Sequence, residues 1–134
     1  MDIIFKTISR GGTIVVPSFA LGRTQELIRD LELFYESHEK HRKTLDRIMV
    51  YVDSPLATNA TEIFRRNAWY FNEKTQNQIA KGDEILNFKN LKFTRSVDQS
   101  KQLNHNKSPK IIIASSGMAD AGRVQHHLKH NLWL

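Results

Sequence analysis

Apolar residues along the chain form short continuous runs and, between them, stripes with helical spacing. Most of the runs are rich in β-branched residues and are bounded by glycine, proline or polar residues, a pattern typical of strands. They cover residues 13–17, 47–52, 91–94 and 111–114. In the first run, TIVVP, apolar residues follow the opening threonine without alternating polar ones. Such a continuous run predicts a strand buried on both faces.

The intervening stripes predict helices. In residues 23–37 apolar side chains recur at i, i+4 and i+7, which places them on one helix face. After Pro55, a second stripe predicts one buried face made of Leu56, Ala60, Ile63, Phe64, Ala68 and Phe71. Shorter helices or helical turns are predicted over residues 3–9, 72–82, 98–103 and 122–132, whereas the polar residues 39–46 predict a loop or a frayed helix end.

Strands that alternate with helices are typical of an α/β fold with a mainly parallel sheet. We therefore expect a three-layer, Rossmann-like arrangement of about four strands, mostly parallel, with helices on both faces. The length of 134 residues suits a single domain.

Charge and cysteine content narrow the function classes. Twenty Lys and Arg residues face 14 Asp and Glu, and the net charge of +6 favours a polyanionic partner such as nucleic acid, although it also fits plain solubility. The absence of cysteine excludes disulfides, thiolate metal sites and cysteine nucleophiles. No apolar window approaches the length of about 18 residues that a membrane span needs, and no signal peptide is visible. We expect no membrane partner and a cytoplasmic location.

Ligands of parallel sheets gather beyond the carboxyl ends of the strands. The first such end carries Gly22-Arg23-Thr24 at a predicted helix start. Free backbone N–H groups and the guanidinium of Arg23 could hold a phosphate there. Alternatively, Thr24 caps the helix while Arg23 or Glu26 ties loops together. The Gly-Lys-Ser/Thr ending of a Walker loop is missing.

The other two ends offer a carboxylate and a pair of hydroxyls. Asp53 is either a catalytic carboxylate or a cap for the helix after Pro55. Ser115, Ser116 and Gly117 could contact a phosphate or simply close a turn. A serine nucleophile is not supported, because the G-x-S-x-G elbow is absent.

The last predicted helix carries clustered histidines. His126 and His130 share a face and could bind zinc, but a third ligand would be needed, so packing or surface roles are favoured for these two and for His127. Trp69 and Trp133 are also expected to be packing residues.

Three blocks of the chain resemble, in order and spacing, the β-CASP domain. They are GGTIVVPSFALGRTQEL at residues 11–27, VYVDSPLA at residues 50–57, and IIASSGM at residues 112–118 followed by Gly122-Arg123 and His126-His127-Leu128. The β-CASP domain is an insertion within metallo-β-lactamase-fold nucleases that process RNA or DNA, among them J-type ribonucleases and polyadenylation-factor endonucleases. The blocks are most similar to the prokaryotic RNA-processing branch.

The resemblance implies a zinc-dependent parent, in which a core with an H-x-H-x-D-H motif holds two zinc ions and the substrate lies between that core and the insertion. This chain contains no H-x-H-x-D-H. We therefore expect residues 1–134 to be a single β-CASP domain of a longer protein, without catalytic residues, metal ligands or cofactor of its own and inactive alone. Zinc-bound hydroxide in the parent would attack the phosphodiester.

The role implied for this domain is to clamp nucleic acid over that metal site. Phosphates would meet Arg23 and Arg123, with Ser115, Ser116 and Gly117 as neutral donors. In the alternative, one of these arginines is a buried partner of Glu26 or Asp53, and its removal would destabilise the domain. The expected partners are RNA, with DNA as the alternative, the metallo-β-lactamase core of the same protein, and a second parent subunit in a homodimer. Two other functions stay open at this point: a stand-alone nucleotide- or small-ligand-binding module, and a structural or dimerisation domain.

Overall fold

The computed structural model describes residues 2–82 and 84–132. The strands are β1 (Thr13–Pro17), β2 (Met49–Asp53), β3 (Leu91–Phe93) and β4 (Lys110–Ala114). The helices are α1 (Asp2–Ser9), α2 (Arg23–Ser37), α3 (Arg42–Leu45), α4 (Pro55–Arg66), α5 (Glu73–Ala80), α6 (Val97–His105) and α7 (Arg123–Asn131). Short 3₁₀ turns cover Glu39–His41 and Ala68–Tyr70.

The strands form one sheet in the order β1-β4-β2-β3, and every pairing between them is parallel. The register places Ala114 of β4 opposite Pro17 of β1 on one side and opposite Asp53 of β2 on the other. The loops that follow β1, β4 and β2 therefore emerge side by side. We call this set of loops, residues 18–24, 53–55 and 115–123, the carboxyl edge.

Helices cover both faces of the sheet, as predicted. Successive residues of a strand point to opposite faces, and β4 is buried along its whole length. Ile111 and Ile113 pack in one cluster with Ile28 of α2 and Ala57 of α4. Ile112 and Ala114 pack in a second cluster with Leu103 of α6 and Val124 of α7. The predicted α/β fold with a four-stranded parallel sheet is thus confirmed.

Two predictions about strand and loop burial were wrong. β1 is only partly buried, because it lies at the edge of the sheet and has a strand neighbour on one side only. Residues 39–46, predicted to be a loop or a frayed helix end, instead form a 3₁₀ turn followed by the separate helix α3, and Leu45 at the end of α3 is buried in the interior. The Asn90 side chain also donates to the Leu45 carbonyl at 3.2 Å and to the Asp46 carbonyl at 3.0 Å, so both burial and hydrogen bonds attach this otherwise polar segment to the domain.

The predicted apolar stripe of α4 was also partly wrong. Leu56 and Ile63 are exposed. The face that is turned inward instead contains Ala57, Ala60, Thr61 and the half-buried Phe64, which follow i, i+3, i+4, i+7 spacing. The small residues allow α4 to lie close to α2, where Thr61 accepts a 3.0 Å hydrogen bond from the Gln25 side chain.

The prediction that Trp69 is a packing residue was wrong as well, because Trp69 is 64% exposed and lies beside Tyr70, which is 82% exposed. Trp133, given the same role, lies outside the described residues. Among residues 2–82 and 84–132, no helix is both long and apolar enough to cross a membrane.

Candidate nucleic-acid interface

The β1–α2 loop is held firmly at the carboxyl edge. The Ser18 backbone N–H donates to the Ala114 carbonyl at 3.0 Å, which joins this loop to the end of β4. Thr24 donates to the Phe19 carbonyl twice, from its hydroxyl at 2.7 Å and from its backbone N–H at 3.2 Å. Thr24 therefore ties the loop to the first turn of α2. The side chain that reaches back over the helix start is Gln25, which accepts from the Gly22 N–H at 2.7 Å.

Arg23 lies at the surface of this loop. Its Nη1 is 2.6 Å from Glu26 Oε2, and the two side chains are 72% and 61% exposed. An exposed pair of this kind contributes about 0–1 kcal/mol, because water screens both charges. Arg23 therefore does not tie loops together, and a phosphate could attract its guanidinium at small cost to the fold.

The β4–α7 loop turns sharply around its polar residues. The Ser116 hydroxyl donates to Asp120 Oδ1 at 2.8 Å and accepts from the Met118 N–H at 3.3 Å. The Ser115 carbonyl accepts from the Val124 N–H at 2.9 Å. Gly122 adopts a φ of +79°, and a Cβ there would lie 2.8 Å from the Ser115 carbonyl oxygen, so the turn requires glycine.

Asp53 is the centre of a buried polar cluster, which we call the Asp53 cluster. Its side chain is fully buried. Oδ1 accepts hydrogen bonds from Arg123 Nη1 and from the Thr94 hydroxyl, each at 2.5 Å. Oδ2 accepts from His127 Nε2 and from the Ser100 hydroxyl, each also at 2.5 Å. Four donors therefore converge on one carboxylate of β2. Thr94 directly follows β3, Ser100 belongs to α6, and the other two belong to α7.

The prediction that Asp53 caps the next helix was wrong. The cap of α4 is Ser54, whose Oγ accepts from the Ala57 N–H at 3.1 Å, and Pro55 occupies the first helical position. The sequence signal was present, because serine immediately before proline is a common helix start.

The electrostatics of the Asp53 cluster favour the ionised carboxylate. Burial by itself raises the pKa of Asp53, but the hydrogen bonds from His127, Ser100, Thr94 and Arg123 outweigh it and hold the pKa well below its usual range. The charge is thus stabilised inside the protein by donors, two of which come from α7.

The Asp53 cluster fixes the position of α7. Arg123 and His127 are four residues apart and project from the same face of this helix onto one carboxylate. His127 is fully buried, and its Nδ1 lies 2.9 Å from Asn104 Oδ1 of α6. Because α7 begins where the β4–α7 loop ends, these contacts also hold Ser115–Ser116–Gly117 in place.

The structure brings the predicted phosphate contacts to one edge of the sheet. Ser115, Ser116, Gly117 and Arg123 lie in or next to one loop, and Arg23 begins the helix that follows the neighbouring strand. Arg123 is mostly buried, with 20% of its side chain exposed, and it bonds Asp53. For His127 a packing or surface role was predicted. The residue is indeed buried, but its bond to Asp53 was missed, although its i, i+4 relation to Arg123 was a usable signal.

A zinc site does not fit the residues that the structure describes. His126 and His130 are exposed on α7, and His130 Nδ1 is turned to the His126 carbonyl at 2.7 Å. Across residues 2–82 and 84–132, no group of three His, Asp or Glu side chains could hold a metal ion.

Comparison with known proteins relates this chain to one domain family. The family model of the Beta-Casp domain matches residues 24–134. Ribonuclease TTHA0252 of Thermus thermophilus is 35% identical over 132 residues, which are 98% of this chain and 29% of that protein. An RNase J-like protein of Methanocaldococcus jannaschii is 32% identical, over 96% of this chain and 28% of that protein.

A eukaryotic relative is similar over the same region. Cleavage and polyadenylation specificity factor subunit 3-I of Arabidopsis thaliana is 29% identical over 90% of this chain and 16% of that protein. The chain thus spans less than a third of the length of each of these relatives. With its family model matched over most of its length, the chain belongs to the Beta-Casp domain family.

Proposed function

We propose that this domain binds single-stranded RNA at its carboxyl edge, as the clamping part of a zinc-dependent RNA-processing nuclease. The observation that carries the proposal is the strand order, because it places Arg23, the β4–α7 loop and Arg123 on one edge of a protein with a net charge of +6. The relatives support it, since a ribonuclease and a polyadenylation factor are among them.

The phosphates would be held by two kinds of group. Arg23 offers an exposed guanidinium, which could bind a phosphate either after it leaves Glu26 or while it still contacts Glu26. Arg123 uses one nitrogen for Asp53, and a guanidinium has further N–H donors that can face a phosphate from its exposed part. Backbone N–H groups and the hydroxyls of Ser115 and Ser116 would add neutral donors.

Catalysis is assigned to the parent protein and not to this domain. Among residues 2–82 and 84–132, no group of three His, Asp or Glu side chains could hold a zinc ion. We propose that residues 1–134 form one β-CASP domain of a longer cytoplasmic protein, whose metallo-β-lactamase core would carry the zinc and face the carboxyl edge across the RNA. The relatives are more than three times as long as the segment they share with this chain.

The test is binding of a fluorescein-labelled 20-nucleotide single-stranded RNA, followed by anisotropy over a range of KCl concentrations. We expect weak binding. The logarithm of the association constant should fall by about 0.7 per unit of log salt concentration for each phosphate contact. Arg23→Ala should weaken binding about tenfold or more, because a charge-assisted hydrogen bond contributes about 1.5–3 kcal/mol.

Arg66→Ala is the matched control. It removes the same charge from an exposed position at the far end of α4, which begins at the carboxyl edge and leads away from it. We expect it to change affinity less than about twofold, as a general charge effect would. Equal losses in the two variants, or no salt-dependent binding by the wild-type chain, would contradict the proposal.

A further inference from the structure

Phe19 is a large apolar side chain that the fold leaves at the surface of the carboxyl edge. It is 56% exposed, although it directly follows the buried Ser18. Its backbone is fixed, because both donors of Thr24 bond its carbonyl and Ser18 is joined to Ala114. The exposed ring is therefore held in place and is not the end of a loose loop.

One face of this ring is seated on Gly117. A Cβ added to Gly117 would lie 2.9–3.0 Å from three adjacent ring atoms of Phe19, namely Cγ, Cδ2 and Cε2. Nearly equal distances to three neighbouring carbons place that position over the flat face of the ring and not beside its edge. Because the face toward Gly117 is covered while 56% of the residue's surface is exposed, we infer that the opposite face of the ring is open to solvent.

The ring also lies at a switch point of the sheet. The chain leaves β1 toward α2, which packs with Ile28 on one face of the sheet. It leaves the adjacent β4 toward α7, which packs with Val124 on the opposite face. Neighbouring strands whose connections diverge in this way open a crevice, and ligands of open α/β sheets bind there. Phe19 and Gly117 meet across this crevice.

We propose that the open face of Phe19 is a stacking platform for one unpaired base of the RNA, an inference that rests on the proposed function. Aromatic side chains bind bases of any sequence by stacking when a positively charged groove holds the backbone. The exposed Arg23 follows Phe19 in the same loop and supplies such a charge, as does the +6 surplus of the whole protein. Phosphate contacts alone would leave this ring without a role.

The experiment compares two probes with the intact chain: a ten-nucleotide uridine RNA and an abasic ribose-phosphate chain of the same length. Phe19→Leu keeps an apolar side chain but removes the aromatic face. It should weaken binding of the uridine RNA at least about fivefold and leave binding of the abasic chain within about twofold. Phe19→Trp should bind the uridine RNA as the wild type does, because an indole ring stacks on a base at least as well as a phenyl ring.

Tyr70→Leu is the matched control, since Tyr70 is 82% exposed and follows the far end of α4. It should change neither affinity. If Phe19→Leu binds both probes as the wild type does, no base stacks on the ring, and the ring contacts another protein surface or nothing. The inference is then overturned, while the RNA-binding proposal stands. If the wild-type chain binds neither probe, the proposed function itself has failed. Circular dichroism of each variant verifies that it is folded.

Discussion

Replacing Asp53 with asparagine should destabilise the domain strongly. The change keeps the shape of the side chain but removes its charge, and it turns one acceptor oxygen into a donor that faces other donors. Arg123 and the fully buried His127 would lose their partner inside the protein. Breaking a buried ion pair by removing one partner typically costs about 3–5 kcal/mol, because the remaining charge cannot be solvated.

The expected shift in melting temperature follows from the size of the chain. Unfolding entropy is about 2.1 cal/mol/K per residue, so 1 kcal/mol corresponds to about 3.6 °C for a domain of 134 residues. Asp53→Asn should therefore lower Tm by about 10–18 °C in a thermal melt followed by circular dichroism at pH 7. Glu26→Gln makes the same chemical change in an exposed ion pair and should lower Tm by less than about 4 °C. Equal small shifts in the two variants would refute the view that the Asp53 cluster holds α7 and the β4–α7 loop.

Three further predictions concern pH, capping and metal. Because the pKa of Asp53 is lowered in the folded state, the stability that its charge contributes is complete above about pH 5 and is lost as the pH falls. In urea unfolding, the difference in unfolding free energy between wild type and Asp53→Asn should therefore narrow by about 1 kcal/mol between pH 5 and pH 3. Ser54→Ala should lower Tm by about 4 °C, since the N-cap of α4 contributes about 1 kcal/mol, and an unchanged melt would contradict the cap. Elemental analysis after dialysis should find far less than one zinc per chain, and stoichiometric zinc that disappears in His126→Ala would overturn this expectation.

The strands and helices could be predicted because the apolar runs and the helical spacing that indicate them lie within each segment. The four short runs and the stripe of α2 predicted segments within a few residues of those observed. The exposure of β1 could not be predicted in this way, because it depends on β4 inserting between β1 and β2, a long-range pairing. The phase of α4 was missed because its inward face uses alanine and threonine, which are too weakly apolar to mark a stripe.

The Asp53 cluster shows why sites are harder to predict than elements. His127 and Asp53 are 74 residues apart in the sequence, and Thr94 and Asp53 are 41 apart. Each residue alone fitted a simpler role, such as a cap or a surface histidine. The sequence could offer Asp53 as one possible partner of an arginine. The convergence of Arg123 and His127 on it depends on the sheet order, which brings the start of α7 to the end of β2.

The central claim, that RNA binds at the carboxyl edge, is tested most directly by mapping where RNA perturbs the amide resonances of the ¹⁵N-labelled chain. Titration with the ten-nucleotide uridine RNA should shift amides of residues 18–24 and 115–123, the loops that follow β1 and β4. Amides around Ala68–Tyr70, beyond the far end of α4, should stay unchanged. Shifts confined to that far region, or spread evenly over the basic surface, would contradict the account.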